Sequence, residues 1–444
     1  VGRMTVGNSQ QANQTIDKVI NYHKIENAGR WRNNYVALAD DVDVADDFRL
    51  QKTLNEMVEA LETYKPFFNI NKIYTDAYVQ EITPGGARYP KAKADFIQAI
   101  NNGALMVNYL GHGAEYGLAQ ERLLEAYDID GLRNVDRLPL FASITWEYTR
   151  LDNHNDLSGG ERLFLKPDGG AIGLIATTRK ITVTNANLFT KDLSEVLFSY
   201  HSNEYPSIGE ALRLTKNQFS SNEKAVVFCI GNPALKLAIP KPKVELTHIN
   251  NVPISSTAPA LRALDLIKLG GEVTDENGNL LTNFTGDLAV QIFDKDIERR
   301  TLGNDGVPMY MDFKTLGETI FRGNASVENG KFEIEFVVPK DIRIPLGEGK
   351  VSFYALKNGT VLDDYTGDNK VIRVGGVNEN AAQDNNPPTL QLYMNDESFI
   401  SGGITNASPL LLVNLEDDNG MNTASGIGHD IVAILDGNEN EPFV

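Results

Sequence analysis

Val107-Asn108-Tyr109-Leu110-Gly111-His112-Gly113 and Leu138-Pro139-Leu140-Phe141-Ala142-Ser143-Ile144-Thr145-Trp146-Glu147 decide how this chain is read. The first apolar run, Ala104 to Leu110, stops at Gly111-His112-Gly113. The second, Leu138 to Ile144, stops at Thr145-Trp146-Glu147. Two buried strands thus deliver a histidine and a tryptophan to their carboxyl ends, and the polar connection between them has the length of a helix. In an open parallel sheet, ligands and chemistry gather at that edge. Glycine on both sides of His112 permits close backbone approach and frees N–H groups to face a ligand. This is the setting of a general base beside an oxyanion site, with no nucleophile in view.

Working outward, 444 residues suffice for two to four domains. No apolar run approaches the ~20 residues of a spanning helix. Val1-Gly2-Arg3-Met4 is not a natural start, so we expect an interior fragment or a processed product, N-terminally incomplete. The net charge of −19 argues against nucleic acid and against an anionic membrane surface, because phosphate binding needs clustered Lys and Arg. With Cys229 alone there is no intrachain disulfide and no cysteine metal cluster.

Upstream, Ile16, Val19, Ile20 and His23 recur at helical spacing. Tyr35 to Ala39 is a buried strand ending in Asp40-Asp41-Val42-Asp43, with Asp46-Asp47 beyond. These acids could hold a cation or cap the next helix; no strict calcium-loop spacing is present. Helices follow at 50–64 and 92–101, with a strand at 68–74 between them. Downstream, Ser158-Gly159-Gly160-Glu161 reads as loop into helix. Strands at 169–177 and 226–230 bracket helices at 186–197 and 207–218. Strands alternating with helices at this spacing predict a parallel or mostly parallel α/β sheet over 1–241.

From Val244 onward, period-two runs replace helical ones, as in Leu288 to Phe293, Lys331 to Val338 and Val351 to Ala355. Asp275-Glu276-Asn277-Gly278 and Glu328-Asn329-Gly330 are hairpin turns. About seven short strands predict an immunoglobulin-like β-sandwich over 242–375. A polar linker (376–388) then leads to the start of a further β-rich domain (389–444).

These motifs resemble the gingipain family of cysteine peptidases, and within it the sortases of type IX secretion. The resemblance rests on Asn108 to Gly113, Trp146 to Asp152, Ser158 to Glu161, Gly169-Gly170-Ala171-Ile172 and Gly231-Asn232-Pro233-Ala234-Leu235. Tyr393 to Asp396, Ser401 to Thr405 and Gly426-Ile427-Gly428-His429-Asp430 extend it. It implies a caspase-like α/β catalytic domain with the catalytic histidine at His112 and the nucleophile at position 146. The oxyanion donors fall on the N–H groups of Gly113 and Trp146, beside Gly111. Glu147, Arg150 and Asp152 either line the substrate pocket or start a helix. Asp40 or Asp41 is the candidate to orient His112.

Within the family, the resemblance to the type IX sortases implies cleavage of C-terminal sorting signals from exported cargo, with transfer to water or to an amine of surface lipopolysaccharide. That implies an outer-membrane location beside a β-barrel partner of the PorV type. No cofactor is implied, and calcium is admitted without being required. The chain departs from the family where the thiol belongs. An indole cannot act as nucleophile. Cys229 lies inside a strand, where free cysteines are usually core. Ser143 and Thr145 lack a base on their side of the strand. Two expectations follow: a sortase-like peptidase missing its thiol, or a surface component that binds cargo without cutting.

Overall fold

A computed structural model describes residues 1–200, 204–254, 258–381, 386–417 and 433–436. The Gly426 to Asp430 motif lies outside these residues. The chain forms two units. The first comprises 1–243, 296–316 and 353–367; the second comprises 244–295, 317–352 and 368–444.

In the first unit the elements are β1 (Gly2–Arg3), α1 (Ser9–Asn21), β2 (Asn34–Ala39), α2 (Phe48–Tyr64), β3 (Asn69–Tyr74), α3 (Pro90–Asn102) and β4 (Met106–Leu110). Then come α4 (Ala126–Gly131), β5 (Leu140–Ser143), α5 (Gly159–Leu165), β6 (Gly173–Thr177), α6 (Val183–Leu197), α7 (Ile208–Gln218) and β7 (Val227–Ile230). They build a seven-stranded sheet in the order β1-β7-β6-β5-β4-β2-β3. All neighbouring pairs are parallel except β6 with β7.

Alternation within β2 shows why the sheet is buried on both faces. Tyr35, Ala37 and Ala39 join one core with Leu54 and Val58 of α2, Phe189 and Leu193 of α6 and Ala211 of α7. Val36 and Leu38 point the other way, toward Phe96 and Ile100 of α3 and Phe164 of α5. Strands covered on both sides read as continuous apolar runs, which is how the sequence presents them.

Three expectations are corrected. The polar segment after His112 is not one helix: it makes a small hairpin (Gly113–Ala114 with Gly117–Leu118) before the six-residue α4. In α1, Ile16 and Ile20 face solvent, and the buried residues are Thr15 and Lys18. The Lys18 amine donates to the carbonyls of Phe164 (2.9 Å), Lys166 (3.0 Å) and Gly169 (3.0 Å), so α1 docks on polar backbone there while Val19 packs on the core. Third, the α/β unit does not close at residue 241. Residues 296–316 return to it as a hairpin (Ile297–Arg300 with Asp312–Thr315) whose Met311 and Phe313 enter its core. The Asp76 carboxylate there accepts the N–H of Asn304 (3.1 Å). Residues 353–367 return as well: Asp364 pairs with the buried Arg32 at 2.7 Å and accepts the Tyr354 hydroxyl at 2.8 Å.

The second unit holds β8 (Val244–Ile249), β9 (Val252–Pro253), β10 (Leu266–Val273), β11 (Gly286–Phe293), β12 (Thr319–Glu328) and β13 (Lys331–Val337). They hydrogen-bond antiparallel in the order β11-β12-β13-β10-β8-β9. At the β12–β13 corner Asn329 and Gly330 both take positive φ (52° and 78°), as the tight hairpin turn demands. Thr389–Met394 and Leu411–Glu416 pair as a separate two-stranded ribbon.

Candidate active site

Parallel register sets the site. Ala39 of β2 sits opposite Leu110 of β4, and Tyr109 of β4 sits opposite Ser143 of β5. The residues just past these strands therefore converge: Asp40 after β2, His112 after β4, Thr145 and Trp146 after β5.

The Asp40 carboxylate fixes His112 twice. Its Oδ2 accepts the His112 backbone N–H at 2.8 Å and lies 3.1 Å from Nδ1. Asp47 approaches from the other side, with Oδ1 3.3 Å from Nε2. Both acids are buried, while the imidazole is 28% exposed. The hydrogen bond to Asp40 and then that to Asp47 push the His112 pKa up to about 10. At neutral pH His112 is an imidazolium clamped at both nitrogens, not a free general base. An imidazolium at this position is the neighbour that favours a thiolate. Capping the next helix was one of the two readings open for Asp47, a cation ligand the other. Although it stands at the N-cap of α2, it makes no side-chain cap bond; its second oxygen takes the Val44 N–H at 3.0 Å.

The flanking glycines pack strand ends together. A Cβ on Gly111 would meet Asp40 Cβ and the Tyr109 hydroxyl, each at 2.5 Å. On Gly113 it would meet Thr145 Cγ2 at 2.6 Å and the Trp146 carbonyl at 3.3 Å. The two backbone positions expected to face an oxyanion are thus neighbours, and the missing side chains are what let them approach.

At the nucleophile position, Trp146 is 41% exposed. Its ring stands edge-on to His112, with centroids 6.2 Å apart. The indole N–H donates to the Ile181 carbonyl at 3.1 Å, and the Lys180 ammonium lies 4.5 Å from the ring centroid. Neither nearby hydroxyl can replace a thiol. Thr145 donates to the Gly111 carbonyl at 2.5 Å, and Ser143 is buried within β5. Cys229 is buried in β7, with β6 between it and β5. Burial pushes its thiol up to about 11, so it stays protonated and inert at neutral pH.

No helix begins at Glu147–Asp152. Glu147 has φ +48°, and the segment is a turn. Arg150 donates to Asp152 (3.0 Å) and sits 3.5 Å from Glu115, while Arg179 reaches the second Asp152 oxygen (2.5 Å). These bonds hold the Asp152 carboxyl below its usual range. The network forms an exposed rim past β5 and β6. Asp41, the other candidate to orient His112, instead accepts the Tyr89 hydroxyl at 2.8 Å.

Sequence reasoning missed Lys180 over Trp146, and it missed Glu121, which joins Asp40 and Asp41 in a buried acidic group. Neither carries a local signal, because each is brought in by a loop from another strand.

The Peptidase family C25 profile matches residues 1–238. The chain belongs to peptidase family C25. This C25 chain is similar to solved structures of gingipains from Porphyromonas gingivalis. With the Arg-specific cysteine proteinase gingipain R (RgpB) it shares 16% identity at a TM-score of 0.44, over 82% of this chain and 74% of that one. A complex of the RgpB pro- and mature domains gives 16% and 0.44. Dimeric latent PorU from Porphyromonas gingivalis is 28% identical at a TM-score of 0.35, over 62% of this chain and 26% of its own. The C25 chain thus spans about a quarter of that PorU chain. Among curated proteins none matches.

Proposed function

We propose that this C25 chain has the catalytic layout of a type IX secretion sortase, one side chain short of turnover. The observation that carries the proposal is the His112 cradle: an imidazolium held by Asp40 at one strand end, with position 146 at the end of the next strand. With a cysteine at 146, the thiolate would attack the carbonyl at the base of a cargo's C-terminal signal. The backbone N–H groups of Gly113 and Trp146 would receive the oxyanion. His112 would protonate the leaving amine, and the acyl group would pass to water or to an amine of lipopolysaccharide. The β-rich unit, which we read as an immunoglobulin-like sandwich, would dock on a PorV-type barrel at the cell surface. No helix among the described residues is long and apolar enough to cross a membrane.

A second reading is favoured by one observation: the Trp146 indole is tied down by Ile181 and covered by Lys180. A side chain fitted in this way suits a surface component that holds the cargo signal without cutting it. Peptide hydrolysis separates the two. In the first reading, Trp146→Cys cleaves a sorting-signal peptide, and adding His112→Ala abolishes cleavage. A folded Trp146→Cys that binds the peptide but stays inert leaves only the second.

A further inference from the structure

The rim beside position 146 carries three cations, and they are not treated alike. Arg150 donates to Asp152 and lies near Glu115, while Arg179 reaches the other Asp152 oxygen. Lys180 is exposed, and among the described residues no carboxylate forms an ion pair with it. The chain has 60 acidic side chains against 41 basic ones, so the missing partner is not for want of acids. What Lys180 has is the Trp146 ring, whose centroid lies 4.5 Å from the ammonium. His112 also faces this ring, edge-on at 6.2 Å, but Asp40 and Asp47 answer its charge. Among the described residues, Lys180 is thus the positive charge at position 146 that the protein leaves unanswered. Its loop is held on the carboxyl side. The Ile181 carbonyl accepts the Trp146 indole N–H at 3.1 Å. One Glu223 oxygen accepts the Thr182 N–H (2.9 Å), the Thr182 hydroxyl (3.0 Å) and the Asn185 amide (2.9 Å).

We propose that Lys180 selects an acidic side chain, Asp or Glu, in the peptide segment that crosses position 146. The inference rests on the reading, common to both proposals above, that this strand end receives a cargo signal. An ammonium over an exposed indole is half of a recognition site. The ring offers an apolar face to the methylenes of an acidic side chain, and the ammonium offers the charge. A cation–π contact draws on the charge of the lysine but supplies no oxygen acceptor for its N–H groups. A carboxylate supplies both, in a charge-assisted bond of the stronger kind. Because the loop is already tied to Trp146 and Glu223, little has to be ordered on binding. The same charge repels a lysine or arginine at that register, so selection works by rejection as well as by attraction. The favoured register is single, since an acid displaced toward His112 would meet Asp43 and Asp47 instead.

The test reads binding to the full, unaltered chain and needs no turnover. The two tryptophans are Trp31, which is buried, and Trp146, which is exposed, so emission quenched by acrylamide reports on position 146. The probes are end-blocked copies of a cargo's C-terminal signal peptide in which each position in turn carries Glu, Gln or Lys. At one register Glu should protect Trp146 with about tenfold higher affinity than Gln, the scale of a hydrogen bond to a charged group, and Lys should bind more weakly still. Lys180→Ala should erase the difference between Glu and Gln. Lys180→Glu should reverse the order in favour of Lys, and Lys180→Arg should keep it. Peptides that bind with no register favouring Glu overturn the inference and leave the cargo reading standing, as does a preference unchanged in Lys180→Ala and Lys180→Glu. If no peptide of the set binds, the cargo reading falls and this inference with it. Inorganic phosphate that protects Trp146 through Lys180 more tightly than the Glu peptide assigns the lysine to a phosphate-bearing ligand and also overturns it. A measurement on the parent alone covers variants that do not fold. Its preference for Glu should shrink as NaCl is added, and a preference indifferent to salt overturns the role of the charge.

Discussion

Two of the places where the α/β unit buries ionisable groups are treated in opposite ways. At Lys18, an ammonium with three donors meets three backbone carbonyls around the end of α5, and every donor is used. At the carboxyl ends of β2 and β4, Asp40, Asp41 and Glu121 are buried with oxygens left over. The first arrangement is complete and fastens α1 to α5. The second is incomplete in the protein alone. Buried polar groups normally find partners, so the unanswered ones mark where the fold serves something other than its own stability.

The largest effect that can break this contrast is catalytic. In a Trp146→Cys background, Asp40→Asn should lower cleavage of a sorting-signal peptide by about 10³–10⁴-fold, as when the acid orienting a catalytic histidine is neutralised. Circular dichroism should show the fold retained; an unchanged rate would remove Asp40 from the mechanism. Next comes Lys18→Met, which strands three carbonyls and should cost about 3 kcal/mol or more in urea unfolding. Asp41→Asn should cost little, since burial and then the neighbouring Asp40 and Glu121 push its carboxyl up to about 9 and leave it protonated at neutral pH. Equal losses from the two would erase the distinction.

Gly113→Ala should follow, at about 1–3 kcal/mol, because its Cβ must displace Thr145. A smaller effect is pH-dependent. The two carboxylates raise His112 to about 10 in the folded state, against an ordinary value of 6.5. The stability it contributes should be fully present below pH 6.5 and fade as pH rises through 10. Unfolding of parent and His112→Ala across this range should converge at the alkaline end; a constant gap would show that the clamp does not hold the proton. The smallest signal is at Cys229, which should resist iodoacetamide at pH 8 until the chain unfolds.

The sheet was legible in the sequence because its strands are covered on both faces. The run Ala104 to Leu110 is apolar but for Asn108, and Gly111 ends it abruptly. His112 and position 146 were legible for the same reason. The acids around Asp40 were visible as a run, but their division of labour was not. Asp40 and Asp47 turn to His112 while Asp41 turns to Tyr89, a choice made by register with β4 and by the loop between β2 and α2. In α1 the helical period was right and Val19 packs on the core, but Ile16 and Ile20 face solvent, since a periodicity rule rewards isoleucine and cannot foresee that the neighbour offers carbonyls to Lys18. Residues 113–125 were mistaken for a helix because polar segments with turn chemistry share its composition. The returns of 296–316 and 353–367 left no trace, because long-range docking has no local signature.

Those two returns bear on how the protein is made. A ribosome that has released residue 243 has delivered every strand of the seven-stranded sheet but not Phe313, Met311 or Asp364. Until residue 367 emerges, Arg32 waits without its acid and part of the core lacks its cover. At about 5–20 residues per second the delay lasts roughly 6–25 seconds. For that interval the nascent sheet is a nearly finished unit with an open apolar seam, the kind of surface that chaperones recognise. Birth order therefore makes the second unit's first strands, which separate the α/β sheet from its own missing pieces in the sequence, a timer on the maturation of that sheet.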